Sequence, residues 1–285
     1  MTVKMHDGRC VTPSGAASEY WRERLSETFD GSCLKEAMRV PQSHGWIRNA
    51  SYKTPGDSWI RAMAIRSGSA FTRARAARGR ENAPLTKCQG HCGARETIAH
   101  IVQQCSKTHG ARIERHDHIV SRLRGRLEDL GYSVKQEPIV PLGHSFLKPD
   151  LIGWLEQSSA DGQREVSIQV LDVQVVATAN IIPLRDRYLQ KVRKYTHPDV
   201  VAYCSSRVPA RTPWKLQVHG LTVTWNGILA KESATMMRNL GLTATDLRKV
   251  AVDAVFGSAR ILSVYRRATL RDVDGLDESE ADYSR

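Results

Sequence analysis

Four residues within one short stretch carry metal-binding chemistry. In "CQGHCGARETIAHIVQQC" the spacing Cys88-x3-Cys92-x7-His100-x4-Cys105 sets two thiols on a turn, then an imidazole and a third thiol about one helical turn apart. Three thiolates and one imidazole close a tetrahedral zinc site with no open position, which makes it structural. A knuckle of roughly 20 residues needs such an ion in order to fold. His91 and His109 are substitute ligands by spacing, but Ile98, Ile101 and Val102 around His100 fix its helix face and rank it first. Cys10, Cys33 and Cys204 have no such company, and Cys204 reads as a core residue of a strand.

A second constellation follows. In "LKPDLIGWL" Pro149 and Asp150 stand at the mouth of an apolar run, where a proline fits the first residue of a strand. In "QVLDVQVV" Asp172 and Gln174 share one face of a strand whose other members are Val170, Leu171, Val173, Val175 and Val176. A charge there is unfavourable unless it is paired or bound to a cation. The turn "SSADGQ" between the two runs makes them antiparallel and brings both carboxylates within reach of one ion. A few carboxylate oxygens plus water suit Mg2+, which completes its shell with substrate phosphate. In "LRDRYLQKVRKY" Lys191 and Lys194 lie at i and i+3, with Tyr188 and Tyr195 along the same side. A lysine there can steady charge on a reacting phosphate or orient water. Each feature alone has a plain reading: scattered core residues, a strand-start acid, a solvated basic face. Asp172 is the hardest to dismiss, and together the three favour a metal-dependent nuclease.

The elements that must hold these residues are legible from periodicity. "RIERHDHIVSRLRGRLEDLG" repeats apolar residues at helical spacing and stops at Gly131. "YSVKQEPIV", "KPDLIGWLEQ" and "REVSIQVLDVQVVA" read as three strands, "DVVAYCS" as a buried fourth, and "LQVHGLTVTW" as a short strand pair. Helices are expected at "PLRDRYLQKVRKY", "GILAKESATMMRNLG" and "TATDLRKVAVDAVFGSARILSVYRRATL". This order is an α/β sandwich with a mixed sheet. Four zones result: a helical, arginine-rich linker over 1–87, the Cys3His knuckle over 88–110, the α/β domain over 111–270, and an acidic, disordered tail over 271–285.

Composition is ordinary for a globular chain, with 41% apolar and 25% charged residues among 285. The excess of 42 Lys and Arg over 30 Asp and Glu gives a charge of +12, which points to a polyanionic partner. "RAMAIRSGSAFTRARAARGR" carries six arginines and no acid. Arg73, Arg75, Arg78 and Arg80, with Arg112 and Arg115 beside the knuckle and Lys148 beside Asp150, are the expected phosphate contacts. Aromatics are sparse there, so base stacking is not the main expected mode. His116 and His118 do not share a helix face, which argues against a second metal site. No apolar run long enough to span a membrane and no signal-peptide core appear.

The Cys/His spacing followed by "RIERHDHIV", "KPDLIGW", "LDVQVV" and "KVRKY" resembles the C-terminal part of site-specific non-LTR retrotransposon proteins, above all the arthropod "R-two" elements of ribosomal RNA genes. "VPQSHGWIRNA" and "FTRARAARGR" resemble the linker that follows the reverse transcriptase in that family. The resemblance implies a zinc knuckle and a restriction-endonuclease-like domain that nicks duplex target DNA, with ribosomal DNA as the expected target. The freed 3′-hydroxyl would prime reverse transcription of the element's RNA in the nucleus. Asp150 matches the acid of the family's Lys-Pro-Asp motif, Asp172 its second acid, and Lys191 (ranked before Lys194) its helix lysine. Gln174 stands where the wider restriction-enzyme pattern has lysine. No paired aspartates of a polymerase are seen, so the chain reads as a piece of a larger polyprotein, and Met1 need not be a biological start. The rival expectation is an inactive, zinc-knuckle module that only binds nucleic acid.

Overall fold

In the computed structural model residues 3–4, 8, 10–11, 15–28, 31, 34–48, 56–80, 86–158, 162–177 and 182–280 are described. Cys33, residues 159–161 of the expected turn and residues 281–285 of the expected tail lie outside them. Helix α1 spans Gly15–Glu27 and α2 spans Gly56–Arg66. Helix α3 spans Ile98–Gln103 and α4 spans His109–Asp129. Strands β1 (Ser133–Gln136), β2 (Leu151–Ser158) and β3 (Arg164–Val176) follow. Helices α5 (Leu184–Tyr195) and α6 (Pro198–Ser205) then lead into β4 (Trp214–Thr224). Helices α7 (Lys231–Asn239) and α8 (Ala244–Glu280) end the described chain.

The sheet order is β1-β2-β3-β4, antiparallel except for the parallel β3–β4 pair. This is the expected mixed sheet flanked by helices. Parallel neighbours need a long crossover, and α5 and α6 supply it. Side-chain alternation sorts β3 between two cores. Leu171 and Val173 pack on α4 and α8 with Ile119, Leu123, Leu127, Val250 and Ala254. Val166, Ile168 and Val170 pack on the other face with Tyr195, Val200 and Cys204. Being covered on both sides, the centre of β3 reads as a continuous apolar run, in which Asp172 stands out.

Two expectations fail for physical reasons. "DVVAYCS" forms helix α6, not a strand. Pro198 occupies its first turn, and His197 Nδ1 caps it by accepting the Asp199 N–H at 3.3 Å. The run of β-branched residues reads as a strand, but Val200 and Cys204 are spaced i and i+4 and bury together. Cys204 is therefore core, as expected, but on a helix. Likewise "LQVHGLTVTW" is one long strand and not a pair, because Gly220 continues β4 instead of turning it.

Described residues of the arginine-rich zone pack against the rest of the chain. Trp46, Ala62 and Ile65 share a core with Ile101, Trp225, Ile261 and Tyr265. Helix α8 continues to Glu280, past residue 270, where the acidic tail was expected to begin.

His219 on β4 is largely buried, with Nε2 2.9 Å from Gln169 Oε1 and no partner for Nδ1. Burial pushes its pKa down to about 4. Between that value and the ordinary 6.5 or so, the unfolded chain binds a proton that the folded chain refuses. Stability should thus fall as pH drops from about 6.5 toward 4, by at most about 3 kcal/mol from this residue. Urea unfolding of His219→Gln should show a flatter loss between pH 7 and 5; a slope equal to wild type would remove His219 as the cause.

Candidate metal and nuclease site

The knuckle is assembled by a bridge and a capped helix. Lys87 pairs with Arg95 across the turn that holds Cys88 and Cys92. Thr97 starts α3 by accepting the His100 N–H at 3.0 Å, which aims His100 back at the turn. One ligand atom from each of Cys88, Cys92, His100 and Cys105 lies within 4.8 Å of every other. Cys88 Sγ and Cys105 Sγ are 3.8 Å apart. Two thiolates each about 2.3 Å from one tetrahedral ion require about that separation, so the donor set fits zinc. Burial lowers the pKa of His100, which keeps its imidazole neutral and ready to ligate. His91 and His109 are outside this cluster.

The second site sits where β2 begins. Asp150 immediately precedes Leu151, whose partner in the antiparallel register is Leu171, the neighbour of Asp172. Both are buried, at 9% and 4% exposure. Asp150 Oδ2 accepts the Val173 N–H at 2.6 Å. Lys191 brings its Nζ to 2.5 Å from Asp172 Oδ2. Beyond that ion pair, Asp172 Oδ2 is buried without a regular hydrogen bond among the described residues. Such an oxygen suits a further cation beside it.

Lys191 reaches Asp172 because Gly220 lies next to Asp172 in the β3–β4 register. A Cβ at Gly220 would stand 2.8 Å from both Lys191 Cβ and Tyr188 O, so α5 rests directly on the bare backbone of β4. Gly220→Ala should push α5 outward and destabilise the fold by roughly 1–3 kcal/mol. It should also weaken the Lys191–Asp172 pair, which Lys191 side-chain NMR would report; an unmoved lysine signal would count against this contact.

Lys194 is turned elsewhere, donating to Tyr195 Oη at 3.0 Å, while Tyr195 donates to Lys148 O at 3.0 Å. Gln174 spends its amide on Arg187 O at 2.7 Å and Thr222 Oγ1 at 2.8 Å, tying α5 to the sheet. It positions the helix that carries Lys191.

His116 is the residue that the sequence reading missed. Its Nε2 lies 3.3 Å from Asp150 Oδ2 and 3.3 Å from Val173 O. The Asp150 hydrogen bond raises its pKa to about 9 against the opposing effect of burial. Neither feature shows in "RIERHDHIV", where His116 is one of several polar residues on an amphipathic helix. His118 goes to Asp253 instead, at 3.3 Å.

An open cleft of about 580 Å3 leads from His116 toward the knuckle. One face of α4 (His109, Arg112, Ile113, His116) lines it against Glu137 and Val175.

The expected phosphate contacts divide. Arg78 and Arg80 are exposed. Arg73 and Arg75 are half-buried and donate to Lys87 O and Gly68 O. Arg112 donates to Gln103 O at the rim of the cleft. Lys148 is exposed and 2.8 Å from Glu137 Oε2. Arg115 departs from expectation: although it borders the cleft, it is 5% exposed and its guanidinium is engaged by Ser258 Oγ at 2.8 Å and Gln103 Oε1 at 2.9 Å. It is a core cation that ties α3, α4 and α8 together.

No protein-family model matches the chain. It is 29% identical over 244 residues to the Retrovirus-related Pol polyprotein from type-2 retrotransposable element R2DM of Drosophila melanogaster, covering 85% of this chain and 22% of the relative. To the Pol polyprotein from type-1 retrotransposable element R2 of Nasonia vitripennis it is 26% identical over 251 residues, 88% of this chain and 23% of the relative. A Pol polyprotein of the same type from Popillia japonica is 31% identical over 209 residues, 72% of this chain and 28% of the relative. The chain thus spans under a third of the length of each of these relatives. It belongs with the R2-type, non-LTR retrotransposon Pol polyproteins and corresponds to one region of them.

Proposed function

We propose that this chain is the DNA-nicking module of an R2-type Pol polyprotein, a divalent-metal-dependent endonuclease built on a restriction-enzyme-like sheet. The observation that carries this reading is the two buried acids beside the paired Leu151 and Leu171, Asp150 and Asp172, with the Lys191 ammonium on the second. Asp150 and Asp172 would hold Mg2+, which when bound supplies an activated water and neutralises charge on the scissile phosphate. Lys191, between helix and acid, would steady the charge that builds on the phosphoryl oxygens. His116 orients Asp150 from the α4 side, and the Val173 N–H fixes the same oxygen from the strand. Hydrolysis breaks the bond from phosphorus to the 3′-oxygen, which leaves as a hydroxyl and can prime reverse transcription.

Duplex target DNA, with ribosomal DNA as the first candidate, would lie along Arg78, Arg80, Arg112 and Lys148, with element RNA held through the parent polyprotein, in the nucleus. The net charge of +12 supports a polyanionic partner. Purified protein should convert supercoiled plasmid to the nicked form with Mg2+ and stop on addition of a chelator. DNA binding without nicking under Mg2+ or Mn2+ would sink the enzymatic reading and leave a binding module. Between the two lysines, Lys191→Ala should lose on the order of a hundredfold in nicking rate, while Lys194→Ala keeps most of it; equal losses would discard the choice of Lys191.

A further inference from the structure

Tyr265, on α8, lies 177 positions from Cys88 in the chain yet brings its hydroxyl to 3.1 Å from the Cys88 Sγ. The same hydroxyl is 2.7 Å from Glu96 Oε2, so its single proton is shared between the carboxylate and the sulfur. Both side chains are buried, Tyr265 at 2% and Glu96 at 3% exposure. Glu96 is itself fixed, since its carboxylate accepts the Arg73 N–H at 3.0 Å and the Gln89 N–H at 3.1 Å. Its backbone joins the same network, accepting from Ala74 N at 3.2 Å and donating to Thr86 O at 2.8 Å.

The plain account is a core tyrosine whose hydroxyl satisfies a buried acid. That account explains Glu96 but leaves the sulfur contact idle. Cys88 is one of the four knuckle donors, and its sulfur also meets the Gly90 N–H at 3.3 Å and the Cys105 sulfur at 3.8 Å. Groups that touch a metal-bound ligand orient it and tune the ion, and losing one typically lowers affinity about 10–100-fold.

We propose that Tyr265 is an outer-shell partner of the knuckle's ion, holding Cys88 from the last helix of the fold while Glu96 holds Tyr265. The ion would then fix α8 as well as its own loop. Two turns earlier on α8, Ser258 accepts from Arg115 at 2.8 Å, and Arg115 is the neighbour of His116 in α4. Tyr265 is thus a positioning residue that links the knuckle to the helix behind the acidic site. The link depends on zinc in the knuckle, not on the nuclease reading.

The test uses the full chain loaded with Zn2+ or Co2+. Tyr265→Phe keeps the ring and removes only the hydroxyl. It should release zinc to a chromophoric chelator about tenfold faster than wild type, and the cobalt–thiolate charge-transfer band should move. Thr269→Val serves as control, because Thr269 is buried on the same helix and its hydroxyl bonds only within it, to Tyr265 O and Arg266 O. That variant should leave both readouts unchanged. The cobalt band is read on the folded, loaded fraction, so partial unfolding does not blur it. An unmoved band with an unchanged release rate in Tyr265→Phe would overturn the proposal. Equal changes in Thr269→Val would overturn it too, by tracing the effect to helix stability.

Discussion

Asp172→Asn is expected to lower Mg2+-dependent plasmid nicking by roughly a thousandfold or more, the equivalent of at least about 4 kcal/mol of barrier. The substitution keeps the shape of the side chain and removes only its charge, so the fold should hold. Duplex binding should stay within about threefold, because the binding arginines lie elsewhere. Asp172 is the better probe of the two acids. Its Oδ2 is buried and ion-paired to Lys191 with no regular hydrogen bond among the described residues, whereas Asp150 holds the Val173 N–H and would disturb the strand when changed. Nicking that persists in Asp172→Asn would refute the assignment of the acids, whatever the chain does to DNA.

The second large effect concerns the knuckle. Cys105 is fully buried, and burial pushes its thiol up to about 12, so a metal ion is what can hold it as a thiolate. Cys105→Ser, or stripping the metal with a strong chelator, should cost several kcal/mol of stability; zinc-finger peptides set the upper scale at about 10–16 kcal/mol. Hydrogen exchange should show residues 86–105 losing protection first. Ile65, Val255 and Tyr265 should follow, since they share the core with Cys88 and Cys105. A knuckle that keeps its amide protection after metal removal would show that packing alone maintains it.

What could be read from the sequence follows from how local each constraint is. The Cys88-x3-Cys92-x7-His100-x4-Cys105 spacing was legible because four ligands of one ion must be near in the chain when a single turn and helix present them. Asp172 was legible because an acid in an apolar strand has few innocent explanations. His116 was not, because its meaning lies in Asp150, on a strand reached only through the tertiary fold. Helix α6 was hidden by β-branched residues whose strand preference lost to a Pro198 start and a His197 cap. Gly220 looked like a turn because glycine often is one, and nothing local reveals a helix resting on it. Arg115 looked like a phosphate contact because burial is invisible in a charge count.

The parallel pairing of β4 bears on the order in which the site comes together. Asp150 and Asp172 adjoin the Leu151–Leu171 end of an antiparallel strand pair that closes over a short connection. Lys191 is seated beside them by Gly220 of β4, a strand that docks beside β3 only after the long excursion through α5 and α6. Contacts that close over a short loop form more readily than those that close over a long one. During refolding, then, the two acids should face each other before their lysine arrives. Pulse-labelled hydrogen exchange should show β2–β3 amides protected ahead of those of β4. For that interval the nascent hairpin carries an unbalanced pair of negative charges, and a divalent cation in the refolding buffer should speed the step that follows.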